Sequence, residues 1–354
     1  MFEDLLRGWD GEEVCLRFDE PSGAWMFVCV HSTILGPAMG GTRMKVYPTA
    51  HDALHDGLRL ARGMTLKQAA AGLPFGGGKA VLAVPAIPAR GTEGRRKLLL
   101  RYADLVEAMG GTYVTAADMN TGPPDLDVIG ERTPHVMGRS PERGGSGDSG
   151  PGTAVGVFHG IRAAVRHAFG DADLAGRTVL IQGVGSVGGR LASLLRDAEA
   201  TLILADVDEE RAGDLASELG ATTVHAGEEI ATPCDVFSPC ATGGVLNEDT
   251  IPRLACRVVA GAANNQLATD EDGERLAAAS ILYAPDYVTN AGGVIHLAGF
   301  ETLGWDDAEM AARLADIGAT LTEIFEDAER EGISTAAAAD RLARRRIAAG
   351  RVDA

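Results

Sequence analysis

Three stretches of the chain set ionisable side chains beside unusual backbone: "MTLK" at 64–67, "FGGGK" at 75–79 and "TAAD" at 115–118. Their chemical groups are Lys67, Lys79 and Asp118. Read singly, each could be an ordinary surface residue. Lys79, however, stands between a glycine run, read as a turn, and the apolar stretch "AVLAV", where water is scarce. Desolvation, or a second ammonium nearby, lowers the pKa of a lysine, and such an amine can act as a base near neutral pH. A phosphate cradle is the rival reading of the same run. It fails on spacing: Ala80 occupies the place of the required Ser or Thr, and Phe75 interrupts the glycines.

A dinucleotide signature lies a hundred residues later. "TVLIQGVGSVGGRLASLL" carries Gly183, Gly185 and Gly188 in G-x-G-x-x-G spacing, with an apolar strand before it and a helix pattern after it. The first glycine permits a tight turn, the second lets backbone approach a pyrophosphate, and the third lets helix and strand pack closely. Ser186 and Val187 complete this cofactor-binding turn, whose helix N-terminus offers unpaired N–H groups to an anion. The next strand, "TLILADVD", ends in Asp206, eighteen residues after Gly188, where a carboxylate would accept from the adenosine ribose. An acid there repels a 2′-phosphate, so NAD is expected rather than NADP.

The elements needed to hold these groups are legible in outline. Two short strands flank "DEPSGAW", and "TAHDALHDGLRLARGM" reads as an amphipathic helix capped by Thr49 and Asp52. A strand "KAVLAVP", a helix "EGRRKLLLRYADLVEAMG" and a strand "TYVTAA" follow. "GRSPERGGSGDSGPG", at 138–152, has the composition of a boundary. Beyond it, apolar strands alternate with helices, which implies a parallel, doubly wound sheet. The last fifty residues read as helical.

Composition narrows the possibilities. The 354 residues suit two domains, and a formal net charge of −18 argues against a nucleic-acid partner. No apolar run reaches the length of a membrane span, and the acidic start "MFEDLLRGWDGEEV" is unlike a secretory leader, so a cytoplasmic setting is expected. Cys15, Cys29, Cys234, Cys240 and Cys256 fit no zinc or redox spacing; no metal is expected, and they are read as buried thiols.

Six ordered motifs, "LGPAMGGTRM", "GMTLKQAAAGLPFGGGKAVL", "TAADMNT", "GVGSVG", "VVAGAANNQL" and "YAPDYVTNAGGVIHLAG", together resemble the glutamate/leucine/phenylalanine/valine dehydrogenase family. The resemblance implies an α/β chain of two domains with an active-site cleft between them. Residues 1–145 would form the substrate-binding, catalytic and oligomerisation domain, and 146–305 a Rossmann-type NAD-binding domain. Residues 306–354 would be helices packing back on the first domain. The implied reaction is NAD-dependent oxidative deamination of an L-amino acid to its 2-oxo acid and ammonia, in a homo-oligomer. Lys67 would bind the substrate carboxylate, with Met64 beside it and help from the backbone of Gly40 and Gly41. Lys79 would be the general base, and Asp118 would exchange protons with the amino group and order the lysine pair. Thr153 and Asn264 would lie near the nicotinamide, Asn264 also serving the substrate, and Ala241 along the ribose.

Family members acting on glutamate carry a lysine where this chain has Met39, so the resemblance implies an apolar substrate side chain. Met39, Ala116, Val294 and Leu297 would line its pocket. Whole-chain likeness favours phenylalanine, whereas Ala116 and Val294 favour leucine, isoleucine or valine. Pro123 and Pro124 are expected to stiffen a loop after Asp118. A non-catalytic NAD-binding sensor or scaffold is the alternative; it would be expected to lack at least one of Lys67, Lys79 and Asp118.

Overall fold

A computed structural model of the chain describes residues 2–350. Two compact units divide it. Among the described residues, one takes in 2–148, Phe300–Gly304 and 343–350; the other comprises Ser149–Gly299 and Trp305–Leu342.

The first unit starts with a short helix, α1 (Phe2–Arg7), and contains a mixed sheet. Its strands are β1 (Glu13–Asp19), β2 (Ala24–Ser32), β3 (Ala38–Lys45), β4 (Gly76–Ala83) and β5 (Tyr113–Ala117), in the order β1-β2-β4-β3-β5. β3 runs parallel to β4 and β5, and β2 is antiparallel to β1 and β4. Alternation along the strands separates two cores. Phe27, Cys29, Val81 and Ala83 pack with Leu54, Leu58 and Ala61 of α2 (Ala50–Ala70). Met26, Val28, Ala80 and Leu82 pack with Leu98, Tyr102 and Val106 of α3 (Glu93–Glu107) and Leu126 of α4 (Pro123–Ile129). Lys79 shares the parity of Val81 and Ala83, so it lies on the α2 side of the sheet.

Thr49 caps α2 as expected, its hydroxyl accepting from the Asp52 N–H at 3.1 Å. The helix then runs on through Lys67. The glycines before Lys79 are not a turn. Gly76, Gly77 and Gly78 are β4 residues, and glycine is required because neighbouring backbone and rings come too close for a side chain. A Cβ on Gly78 would sit 2.8 Å from the Tyr113 ring, and one on Gly77 would collide with the backbone of Thr65 in α2. Pro123 and Pro124 likewise belong to no loop: they open α4, where a missing N–H costs nothing.

In the second unit α5 (Gly150–Phe169) precedes six parallel strands: β6 (Thr178–Gln182), β7 (Thr201–Ala205), β8 (Thr222–Thr223), β9 (Val236–Pro239), β10 (Val258–Val259) and β11 (Leu282–Tyr283). Their order, β11-β10-β9-β6-β7-β8, puts the topological switch between β6 and β9. β8, only two exposed residues long, has no hydrophobic pattern to announce it. α6 (Ser186–Asp197), α7 (Glu209–Leu219), α8 (Glu271–Ala278), α9 (Asp286–Thr289) and α10 (Gly292–Ala298) connect or flank the strands.

The C-terminal helices differ from expectation. α11 (Asp307–Glu331) belongs wholly to the second unit, and only the end of α12 (Thr335–Gly350) joins the first. α11 packs along α5 because Gly156 and Gly160 leave room for the side chains of Ile317 and Leu321. The cysteines also depart from the buried-thiol reading: all five are free, but only Cys29 is fully buried.

Candidate active site

In the first unit, three strands and a helix deliver the ionisable groups. Lys79 projects from β4 with its side chain 6% exposed, and its ammonium meets Asp118 Oδ1 at 3.0 Å. Asp118 follows the last residue of β5. The Asp118 N–H donates to Thr121 Oγ at 2.9 Å, and that hydroxyl donates to the Thr42 carbonyl at 2.7 Å. The turn is held from below by Arg95 of α3, which donates to both oxygens of Asp125 (2.6 and 2.9 Å) and to the Asn120 carbonyl at 2.6 Å.

A third charged group, absent from the sequence reading, completes the cluster. Arg43 of β3 donates through Nε to Asp118 Oδ2 at 2.7 Å and through Nη1 to Asp56 Oδ2 at 3.0 Å. The Tyr47 hydroxyl donates to the same Asp56 oxygen at 2.7 Å. Its signal was present in "GGTRM", but its partners lie 13 and 75 positions away, so no local spacing reveals the pairing. Burial lowers the pKa of Lys79 from the usual lysine range; Asp118 opposes that shift and Arg43 adds to it. Burial would raise the Asp118 carboxyl, yet Lys79 and Arg43 together outweigh it and hold the group well below the usual carboxylate range.

Around this cluster, β3 carries Met39, Gly40 and Gly41, with Met39 fully buried. Gly41 is the register partner of Ala116 on β5, itself buried. A Cβ on Gly41 would stand 2.8 Å from that of Asp118, so the bare backbone is what admits the acid there. Lys67 and Met64 lie half-buried on the last turns of α2.

The second unit assembles the dinucleotide residues at the switch between β6 and β9. Gly183 ends the β6 turn at φ +92°, a left-handed conformation that excludes most side chains, and its Cα faces Ala241, just beyond β9. Gly188 in α6 brings the helix onto the Gly183 carbonyl. At Gly185 a Cβ would meet no described atom within 4 Å. The fold therefore does not itself demand glycine there, whereas a pyrophosphate approaching the N-terminus of α6 does. Ser186 and Val187 form the first turn of that helix.

Asp206 stands immediately after β7, at the position expected for a ribose-binding acid. Its Oδ2 accepts from the Val184 N–H at 2.8 Å, and Oδ1 accepts from the Asp208 N–H at 3.0 Å and Arg211 Nη2 at 2.8 Å. Those donors overcome burial and depress its pKa. Arg211 is another residue the sequence reading passed over. Asn264 Oδ1 accepts from Asn290 Nδ2 at 2.9 Å. Thr153 lies in the first turn of α5, where Gly293 of α10 approaches its hydroxyl closely enough to exclude a side chain. Val294 and Leu297 follow on α10, Leu297 buried and Val294 partly exposed.

Comparison with known proteins agrees with both units. Residues 22–135 match the family model described as Glu/Leu/Phe/Val dehydrogenase, dimerisation domain. Residues 203–353 match the one described as Glutamate/Leucine/Phenylalanine/Valine dehydrogenase. The chain is 42% identical to a leucine dehydrogenase of Thermoactinomyces intermedius, covering 97% of this chain and 93% of that protein. It is 44% identical to a valine dehydrogenase of Streptomyces virginiae, covering 96% and 94%. Among solved structures, L-tryptophan dehydrogenase from Nostoc punctiforme superposes with a TM-score of 0.83 at 38% identity, covering 99% of this chain and 100% of that one.

Proposed function

The chain belongs to the glutamate/leucine/phenylalanine/valine dehydrogenase family, and from that premise we propose that it oxidatively deaminates an apolar L-amino acid to the 2-oxo acid and ammonia, with NAD. The observation that carries the reading is the buried Lys79–Asp118 pair, a lysine whose pKa burial lowers, on the sheet that also bears the bare backbone of Gly40 and Gly41.

When bound, NAD supplies the acceptor for the hydride that leaves the substrate Cα. Lys67 pairs with the substrate carboxylate, which the backbone at Gly40 and Gly41 can approach. Lys79, as the free amine, takes a proton from the water that adds to the imino carbon. Asp118, flanked by two cations, rests as the carboxylate, orients Lys79 and accepts a proton from the substrate amino group only in passing. Arg43, a second cation on the same carboxylate, opposes protonation of Lys79, which suits a lysine that must act as the free amine.

Met39 gives the side-chain pocket a thioether and no counter-ion, which supports an uncharged substrate. The leucine and valine dehydrogenase relatives support a branched aliphatic side chain, and the tryptophan dehydrogenase likeness keeps phenylalanine as the second reading. Leu16 and Phe18, exposed on the edge strand β1, support a homo-oligomer built through the first unit. No helix among the described residues is long and apolar enough to cross a membrane. The test is NADH formation by purified protein with L-leucine, L-isoleucine, L-valine, L-phenylalanine and L-methionine. Turnover is expected, fastest with the branched side chains; silence across the whole panel from protein that binds NAD refutes the proposal.

A further inference from the structure

We infer that Arg43 is a positioning residue for Lys79: its guanidinium fixes the carboxylate that meets the lysine and, as a cation on the same side of the sheet, sets the pH at which that lysine gives up its proton. The inference rests on the proposed role of Lys79 as a base.

The geometry is a relay of alternating charge. Asp118 gives one oxygen to Lys79 and the other to Arg43, so it cannot turn toward either cation without releasing the other. Arg43 in turn is anchored by Asp56 of α2, whose second oxygen accepts from Arg59 at 3.0 Å. The side chains of Lys79, Arg43, Asp56 and Asp118 are 6, 13, 16 and 17% exposed, so solvent screens these charges weakly. The guanidinium directs Nε and Nη1 to different carboxylates at an angle fixed by its plane, which an ammonium cannot reproduce.

The groups facing Lys79 can be named element by element. Cys29 of β2 is its register partner, a thiol whose pKa burial raises to about 12 and which therefore stays neutral. β3 contributes Arg43, the end of β5 Asp118, and α2 Asp56, with Lys67 further along that helix. Tyr47, on Asp56, is kept protonated by burial and that contact. Asp118 and Asp56 favour the ammonium, and Arg43 opposes it. The arginine thus offsets part of the stabilisation that Asp118 would otherwise give to a protonated, inactive lysine.

The test measures the lysine directly, by the pH dependence of acetylation of the Lys79 peptide with acetic anhydride, read by mass spectrometry. The pH profile of NADH formation is recorded beside it. Arg43→Gln is expected to raise the labelling midpoint by about one to two pH units and to move the rising limb of kcat by the same amount. Arg43→Lys, which keeps the charge and loses the fork, should hold the midpoint while lowering kcat about tenfold at little-changed KM. Asp56→Asn should move the midpoint down. An Arg43→Gln protein that labels at the wild-type midpoint overturns the inference. If that variant does not fold, an Asp56→Asn midpoint that stays or rises does so instead. Absence of NADH from the wild type would refute the deaminase reading alone, since the labelling midpoints judge Arg43 either way.

Discussion

Gly77→Ala offers a direct test of why the stretch before Lys79 is made of glycine. The new Cβ would fall inside van der Waals contact with the backbone nitrogen, Cα and hydroxyl of Thr65. Two of those atoms are main chain, so no rotamer relieves the overlap. α2 and β4 must separate by about 1 Å, which at core packing density costs about 3 kcal/mol. For a unit of this size that lowers Tm by roughly 6 to 12 °C. The same displacement moves Lys67 on α2 relative to Lys79 on β4, and an error of about 1 Å between positioning and reacting groups costs about 100-fold in kcat. Thermal unfolding and NADH formation read the two effects, and NAD titration by fluorescence serves as the control, because the dinucleotide residues lie in the other unit. Wild-type Tm together with wild-type kcat would refute the reasoning, since the glycine would then be dispensable.

Lys79→Ala should reduce turnover to near background with NAD affinity intact, and wild-type kcat should climb with pH along a limb below the usual lysine range, because the active form is the neutral amine and burial lowers its pKa. Loss of NAD binding in this variant, or a rate that falls as pH rises through that limb, would contradict the assignment. Asp206→Ser should weaken NAD by about 1.5 to 3 kcal/mol, roughly 10- to 100-fold in Kd, and improve NADP by releasing Arg211 to meet a 2′-phosphate; an unchanged ratio of the two dissociation constants removes the role. Arg95→Met leaves the Asp125 carboxylate buried without its partner and should destabilise the first unit by about 3 to 5 kcal/mol, seen in urea unfolding. A loss below about 1 kcal/mol would show that the turn after Asp118 does not depend on that pair.

Parts of the candidate site's geometry are legible in the sequence because their signals are local. The G-x-G-x-x-G turn, the Thr49 cap and the acid after β7 each depend on residues within a single strand, turn or helix, where spacing determines geometry. The glycines of β4 were misread for the opposite reason. Glycine favours turns in isolation, and only the close approach of Thr65 and Tyr113, from elsewhere in the chain, makes it a strand residue here. Arg43 and Arg95 escaped notice for a related reason: a buried arginine is defined by its acceptors, and theirs are spread over α2, the turn after β5 and α4. The placement of α11 on α5 depended likewise on which helix could offer it a groove.

That groove belongs to a helix with a second constraint. On α5, the backbone of Gly152 meets that of Gly292, and the Thr153 hydroxyl meets Gly293, so α10 is fastened at its N-terminal end by close approaches that leave no room for a side chain. A helix held this way has almost no tolerance for substitution at Gly292 and Gly293, whereas Val294, the next residue, is partly exposed, and Leu297 lies one turn further on. Exchange of those two side chains therefore alters what α10 presents while the helix itself stays in place. If the proposed pocket is correct, α10 behaves as a fixed rail with two exchangeable positions, and a library aimed at substrate size should leave Gly292 and Gly293 untouched.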